Sequence, residues 1–159
     1  MKRLISLLIC TVLVLSGCKG SDMAHFYYPR AEIQYDCPDG VIASEERDTA
    51  GHGSHLSFLI SLYLIGPLDS ELASPFPTNT KLLSIEIKDS VLYIRLTDTS
   101  PALSDSQFTL ACTCLTLTCL EITTVESVSI TSGERDITLS RDQITLFDTG
   151  EPAETTIGG

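Results

Sequence analysis

Hydrophobic and polar positions alternate most cleanly between residues 82 and 97. Leu83, Ile85 and Ile87 alternate with Ser84, Glu86 and Lys88; after Asp89-Ser90, Leu92, Ile94 and Leu96 alternate with Val91, Tyr93 and Arg95. A period of two marks a strand, and two such runs joined by two polar residues predict a β-hairpin. A two-residue turn sets Lys88 opposite Val91, Ile87 opposite Leu92, Ile85 opposite Ile94 and Leu83 opposite Leu96. All six aliphatic side chains then share one sheet face, and Glu86, Tyr93 and Arg95 share the other. A one-residue slip would expose half of the apolar set, so the register is specified by the pattern itself. The turn is the weak point: a primed turn needs φ > 0 at both central residues, which Asp89 tolerates and Ser90 tolerates poorly.

Elsewhere the period lengthens to that of a helix. Leu56, Leu59, Ile60, Tyr63 and Leu64 fall at i, i+3, i+4, i+7 and i+8, with Ser54 the expected N-cap and Gly66-Pro67 the stop. Further on, Ser104-Asp105-Ser106-Gln107 has the form of a capping box. Phe108, Ala111, Cys112, Leu115 and Cys119 continue it at helical spacing. Thr109, Thr113, Thr116 and Thr118 favour strand on propensity; the cap decides for a helix over 104–119. Phe26-Tyr27-Tyr28 predicts a strand cut by Pro29, Ile33 and Tyr35 alternate ahead of a turn at Cys37–Gly40, and Val41–Arg47 predicts a second short strand. Residues 68–80, with Pro75, Pro77 and Asn79, read as a long connection. Val125, Val128 and Ile130 predict a strand ending at Ser132-Gly133, and Ile144, Leu146 and Phe147 a last one.

The first eighteen residues bear on location. Lys2 and Arg3 precede an apolar-leaning run from Leu4 to Leu15, followed by Ser16-Gly17-Cys18. A basic start, a short apolar stretch and small residues describe a secretory signal. The run is too short to span a bilayer, which takes about 20 residues at ~1.5 Å each. Leu15-Ser16-Gly17-Cys18 resembles the bacterial lipobox, which implies cleavage after residue 17 and a diacylglycerol thioether on Cys18, usually with an acylated amine. Two or more acyl chains anchor durably where one does not. The expected organisation is a signal peptide over 1–17, a lipid-anchored tether over 18–25, one domain over 26–148 and an acidic, disordered tail over 149–159. The tether reaches roughly 20 Å at ~3.5 Å per residue, so the domain works close to the lipid.

Removing 17 of 159 residues leaves 142, enough for one modest core; losing Lys2 and Arg3 with them moves the net charge from −11 to −13. Phosphate backbones would be repelled by such a surface, which argues against nucleic acid. The same charge argues against the domain lying flat on anionic lipid and favours basic partners.

Cys10 leaves with the signal and Cys18 takes the lipid, so Cys37, Cys112, Cys114 and Cys119 remain. Four cysteines in an exported chain allow two disulfides in three connectivities. Cys112 and Cys114 are too close for an easy mutual bridge and, on a helix, face different ways. Buried free thiols are therefore the expected state, with a bridge from Cys37 to a helix cysteine left open.

Catalytic signatures are missing: there is no nucleophile elbow, HExxH, P-loop or dinucleotide glycine fingerprint. Cys112, Cys114 and Cys119 lie in an apolar segment, and a structural zinc site wants four ligands and usually a CxxC turn. No CxxC supports a redox role either. His52 and His55 have no third ligand nearby, and Glu45-Glu46-Arg47-Asp48 reads as a solvated charge run. No enzyme activity, metal or cofactor is expected.

The order of the pieces carries a resemblance. Leu59-Ile60-Ser61-Leu62-Tyr63-Leu64-Ile65-Gly66-Pro67, then Leu72-Ala73-Ser74-Pro75-Phe76-Pro77, then Thr80-Lys81-Leu82-Leu83-Ser84-Ile85-Glu86-Ile87-Lys88-Asp89, resembles the GerMN domain of sporulation and germination lipoproteins. Val41–Arg47, Val91–Leu96, Thr116-Leu117-Thr118 and Val125–Thr131 fit the same pattern, so the likeness covers residues 26 to 148. It implies an α+β domain: a small antiparallel β-sheet with two α-helices packed on one face. It also implies an exported, often lipid-anchored, non-enzymatic protein, similar to ring-building modules that associate laterally. The namesake has two tandem copies and this chain one, and the usual Asp-Gly turn is Asp89-Ser90 here.

Together these readings predict a lipoprotein at the extracytoplasmic face of the cell membrane. Lipid on Cys18 holds the membrane, and the domain contacts envelope protein partners, with self-association open. The candidate contact patch is Glu86, Tyr93 and Arg95. The alternative is a thiol- or metal-binding envelope protein using the clustered cysteines, and an anchored ligand-binding module is a third.

Overall fold

The computed structural model describes residues 23–32, 40–49, 51 and 55–144. The signal sequence, Cys18, the segment with Ile33, Tyr35 and Cys37, His52, Ser54, the strand signal at Leu146 and Phe147, and the tail lie outside them.

The aromatic segment forms β1 (Met23–Pro29), antiparallel to β2 (Ile42–Asp48) in a two-stranded ribbon. Met23 to His25, expected in the tether, belong to β1 and stand opposite Asp48, Arg47 and Glu46. Phe26 and Tyr28, two residues apart, turn the same way and are fully buried. Helix α1 (Leu56–Ile65) buries Leu59, Ile60, Tyr63 and Leu64, the stripe read from its spacing, with Leu56 packed partly against the core. Its N-cap is His55 rather than Ser54, and no side chain caps it. Gly66 ends it at φ 107°, a conformation open to glycine and strained for other residues. The connection 67–81 then crosses the ribbon's end, where Leu72 bridges to Arg30.

The second sheet holds β3 (Leu82–Lys88), β4 (Val91–Leu96), β5 (Ser127–Ser132) and β6 (Arg135–Ser140) in that spatial order. Between β4 and β5 the chain makes helix α2 (Asp105–Ile122), opened by the Ser104–Gln107 capping box. The helix carries the chain back to the end of the sheet where β4 begins, so β4 and β5 run parallel while the outer pairs are antiparallel. The class is α+β as expected, with the strands divided between two sheets and one parallel pair among them. Strand β6 has no counterpart among the expected strands, although Ile137 and Leu139 alternate within it.

The β3–β4 turn has Asp89 at φ 50° and Ser90 at φ 63°, the primed geometry its length requires. Three of the four predicted cross-strand pairs hold: Lys88–Val91, Ile87–Leu92 and Ile85–Ile94. The fourth does not. An irregularity between Leu82 and Ser84 puts Leu82, not Leu83, opposite Leu96. Leu83 is 58% exposed and Ile87 55%. An extra residue in an edge strand re-aims its side chains, and β3 is an edge strand. The apolar seal is therefore made by Leu92, Ile94 and Leu96 of β4 with Val128 and Ile130 of β5, each worth about 1.5–3 kcal/mol of burial.

Register continues this apolar face across the sheet in two rows, Ile87–Leu92–Val128–Leu139 and Ile85–Ile94–Ile130–Ile137. Helix α2 contacts β5 and β6 on this side and β1 on the other. That placement explains its residues: Phe108, Ala111, Cys112, Leu115 and Cys119 are buried as predicted, and so are Cys114, Thr116, Leu117, Thr118 and Leu120. A helix covered on more than one side needs small residues for close approach, and cysteine and threonine supply them. Thr109, Thr113 and Thr118 satisfy their hydroxyls by donating to the carbonyl four residues back, so strand-favouring residues are accommodated in the helix.

Candidate interaction surface

Strand alternation gives the four-stranded sheet a polar outer face. Register aligns Glu86–Tyr93–Ser129–Thr138 in one row, Ser84–Arg95–Thr131–Asp136 in the next, and Lys88–Val91–Ser127–Ser140 in a third. The predicted residues therefore come together on one surface: Glu86 stands directly across from Tyr93, and Arg95 is two residues further along β4. Tyr93 is 45% exposed, and Glu86 and Arg95 are exposed. Thr138 Oγ1 donates to Ser129 Oγ at 3.1 Å on the same face. A flat field of hydroxyls with one aromatic ring and charges of both signs can recognise a protein surface; it presents no nucleophile–base pair.

Of the charge run at residues 45–48, Glu46 and Asp48 are exposed as expected, but Glu45 and Arg47 turn inward. Arg47 is buried, and its guanidinium forms an ion pair with Glu45. Arg47 Nε donates to Glu45 Oε1 at 2.6 Å, Nη2 donates to the Gly66 carbonyl at 2.7 Å, and the group lies over the Phe26 ring at 5.6 Å. The Glu45 carboxylate in turn accepts the backbone N–H groups of Leu68 and Asp69. Together they clamp the C-terminal end of α1 and the following turn onto the ribbon. Their spacing held the signal: Glu45 and Arg47 are two apart on a strand and stand opposite Phe26 and Ala24, the ribbon face that carries Phe26 and Tyr28.

Tyr28 and Tyr63 stack with ring centroids 4.8 Å apart. Tyr28 Oη donates to the Tyr63 carbonyl and Tyr63 Oη to the Tyr27 carbonyl; burial pushes both phenols above their usual range. At the other end of the core Arg135 donates to the Leu103 carbonyl and Thr99 Oγ1, and lies 4.2 Å from the Phe108 centroid. Ser132 Oγ accepts the Thr99 N–H and donates to the Thr97 carbonyl. Both sets are architectural.

Cys112, Cys114 and Cys119 are free and buried. Burial pushes the Cys112 and Cys114 thiols up to about 12 and raises Cys119 as well. Such thiols stay protonated at neutral pH, whereas the thiolate is the nucleophile and the metal ligand. Among the described residues no three His, Cys, Asp or Glu side chains converge as metal ligands. No helix among them is long and apolar enough to cross a membrane.

A family model described as Germane, sporulation and spore germination, matches residues 26–138. The chain belongs to the Germane family. Among solved structures, the first GerMN domain of the sporulation protein GerM from Bacillus subtilis is 14% identical with a TM-score of 0.55, over 72% of this chain and 85% of that one. The tandem GerMN domains of the same protein align at 20% identity and a TM-score of 0.52, over 71% of this chain and 39% of theirs. A "putative lipoprotein" from Clostridium perfringens aligns at 19% identity and a TM-score of 0.48, over 76% and 88%. None of the curated proteins matches significantly. At these identities the structural likeness shows the fold. The Germane domain here is thus an α+β module of a sporulation and germination family, which is not a known enzyme class.

Proposed function

We propose that this protein is a lipoprotein, anchored through Cys18 at the extracytoplasmic face of the cell membrane, whose Germane domain recruits a protein partner in a sporulation or germination complex. Catalysis has no part in this reading; placement does. The observation that carries it is the outer face of the four-stranded sheet, where Glu86, Tyr93 and Arg95 stand exposed among serines and threonines. The membership in a sporulation and germination family supports the setting. A strongly acidic chain favours a partner with a basic surface.

A photo-crosslinking residue at Tyr93, compared with one at Val41 on the ribbon, tests this in intact cells. The reading expects a discrete envelope-protein adduct from position 93 and none from 41. Equal, diffuse labelling from both would remove the sheet face as the contact. Cys18→Ala should leave the protein uncleaved or free of lipid, and a wild-type chain found unlipidated in the medium would remove the anchor.

A further inference from the structure

Helix α1 shows large apolar side chains on its outward side, alongside Ser57 and Ser61, as well as in the core. Its sequence, Leu56 to Ile65, contains no charged residue. One side is buried in the core; the other shows Phe58 and Ile65, seven residues apart, with Leu68 just beyond. Ile65 is 79% exposed and Leu68 81%. They are held in place: Arg47 donates to the Gly66 carbonyl, and Glu45 accepts both the Leu68 and Asp69 N–H groups. Ile65-Gly66-Pro67-Leu68 is thus a clamped apolar knuckle, and an acidic chain gains nothing in solubility from presenting it.

Its position identifies what covers it. Arg47 stands opposite Ala24 and Glu45 opposite Phe26, so the clamp lies along the half of the ribbon where β1 begins. From Met23 the chain runs back only five residues to Cys18, at most roughly 18 Å at ~3.5 Å per residue. We propose that the knuckle, Ile65 and Leu68, inserts shallowly into the bilayer that the Cys18 lipids occupy, fixing the orientation of the domain. This rests on the anchor proposed above. The anchor makes contact effectively intramolecular, so a two-residue insertion suffices. Asp69 and Glu71 border the knuckle; they limit its depth to the headgroup boundary and make anionic lipid the poorer surface.

The chain contains no tryptophan, so single substitutions give unique reporters. Lipidated full-length Leu68→Trp and Val41→Trp proteins are reconstituted in phosphatidylcholine vesicles, with and without brominated acyl chains. Flotation reads the anchor; indole emission reads the knuckle. The expected result is that both proteins float, while only Leu68→Trp shifts to the blue and is quenched several-fold by the brominated lipid. Replacing half of the lipid with phosphatidylglycerol should reduce that quenching. Failure to float sinks the anchor and the insertion together. Flotation with water-like emission from Leu68→Trp overturns the insertion alone, including when that indole becomes shielded only on adding another protein. Far-UV circular dichroism and the unfolding midpoint confirm that both variants fold, as their exposure predicts.

Discussion

The hydroxyl of Thr118 accepts the backbone N–H of Tyr27 at 2.9 Å, joining residues 91 apart in the chain. The same hydroxyl donates to the Cys114 carbonyl at 3.1 Å. Helix α2 thereby satisfies the edge of β1 that β2 leaves open. An N–H buried without a partner costs about 1–3 kcal/mol. Thr118→Val, which keeps shape and removes the oxygen, is expected to lose about that much, and Thr118→Ser to lose less. Urea unfolding of the two variants measures the difference.

The Glu45–Arg47 pair gives a second expectation. Removing one partner of a buried ion pair strands the other and costs about 3–5 kcal/mol. Arg47→Met should fall in that range. Adding Glu45→Gln should recover part of the loss, because the stranded charge goes while an amide oxygen remains for the Leu68 and Asp69 N–H groups. Arg47→Lys should rescue poorly, since one ammonium cannot reproduce the guanidinium's contacts to Glu45 and Gly66 together. A double-mutant cycle in urea checks all three.

Alkaline pH should unfold the domain through its thiols. The native values of Cys112 and Cys114 are raised from the ordinary 9.0 to about 12, so above pH 9 the unfolded state releases protons that the folded state keeps. Stability is therefore full below pH 9 and falls as pH climbs from 9 towards 12, by up to ~1.4 kcal/mol per pH unit for each thiol. Above pH 10 Tyr28 and Tyr63 add to the loss with the same sign. Urea midpoints between pH 7 and 10.5 should show the decline, and Cys112→Ala with Cys114→Ala should flatten its first part. At pH 8 a disulfide reagent should label none of the three helix cysteines until denaturant is added.

At the hairpin, Asp89 and Ser90 hold left-handed backbone conformations, which cost an L-residue about 1 kcal/mol apiece. Asp89→Asn with Ser90→Gly should raise stability by about 0.5–1 kcal/mol. A thermal melt reads it directly. Gly133→Ala should act in the opposite direction: its φ is 62°, and an added Cβ would sit 2.5 Å from Asp98 Oδ1.

Both helices, the hairpin and its primed turn were legible because periodicity and capping are local properties. The capping box at Ser104 rightly outweighed the threonines, two of which, Thr116 and Thr118, are buried by packing that no propensity scale contains. Leu83 misled because the irregularity before Ser84 takes it out of the alternation, and Ile87 because alternation reports which side of a strand a residue takes, not whether another element reaches far enough to cover an edge. The Glu45–Arg47 clamp was read as solvent-facing because charge dominates a linear reading, while a period of two put both residues on the face of Phe26. Strand β6 has no counterpart in the sequence reading although Ile137 and Leu139 alternate, because two apolar positions are too few to establish a period. That Glu86, Tyr93 and Arg95 share a polar face was legible; the full width of that face needed β5 and β6 beside β4.

The bond between Tyr27 and Thr118 also has a temporal side. The first strand to emerge from a ribosome or a translocation channel cannot be finished until the helix from the far end of the polypeptide arrives. Until then it offers a raw row of amides to any passing extended segment. A chain that stops before residue 118 should consequently be recovered as aggregate or as protease fragments, even though four of its strands and its first helix are already encoded.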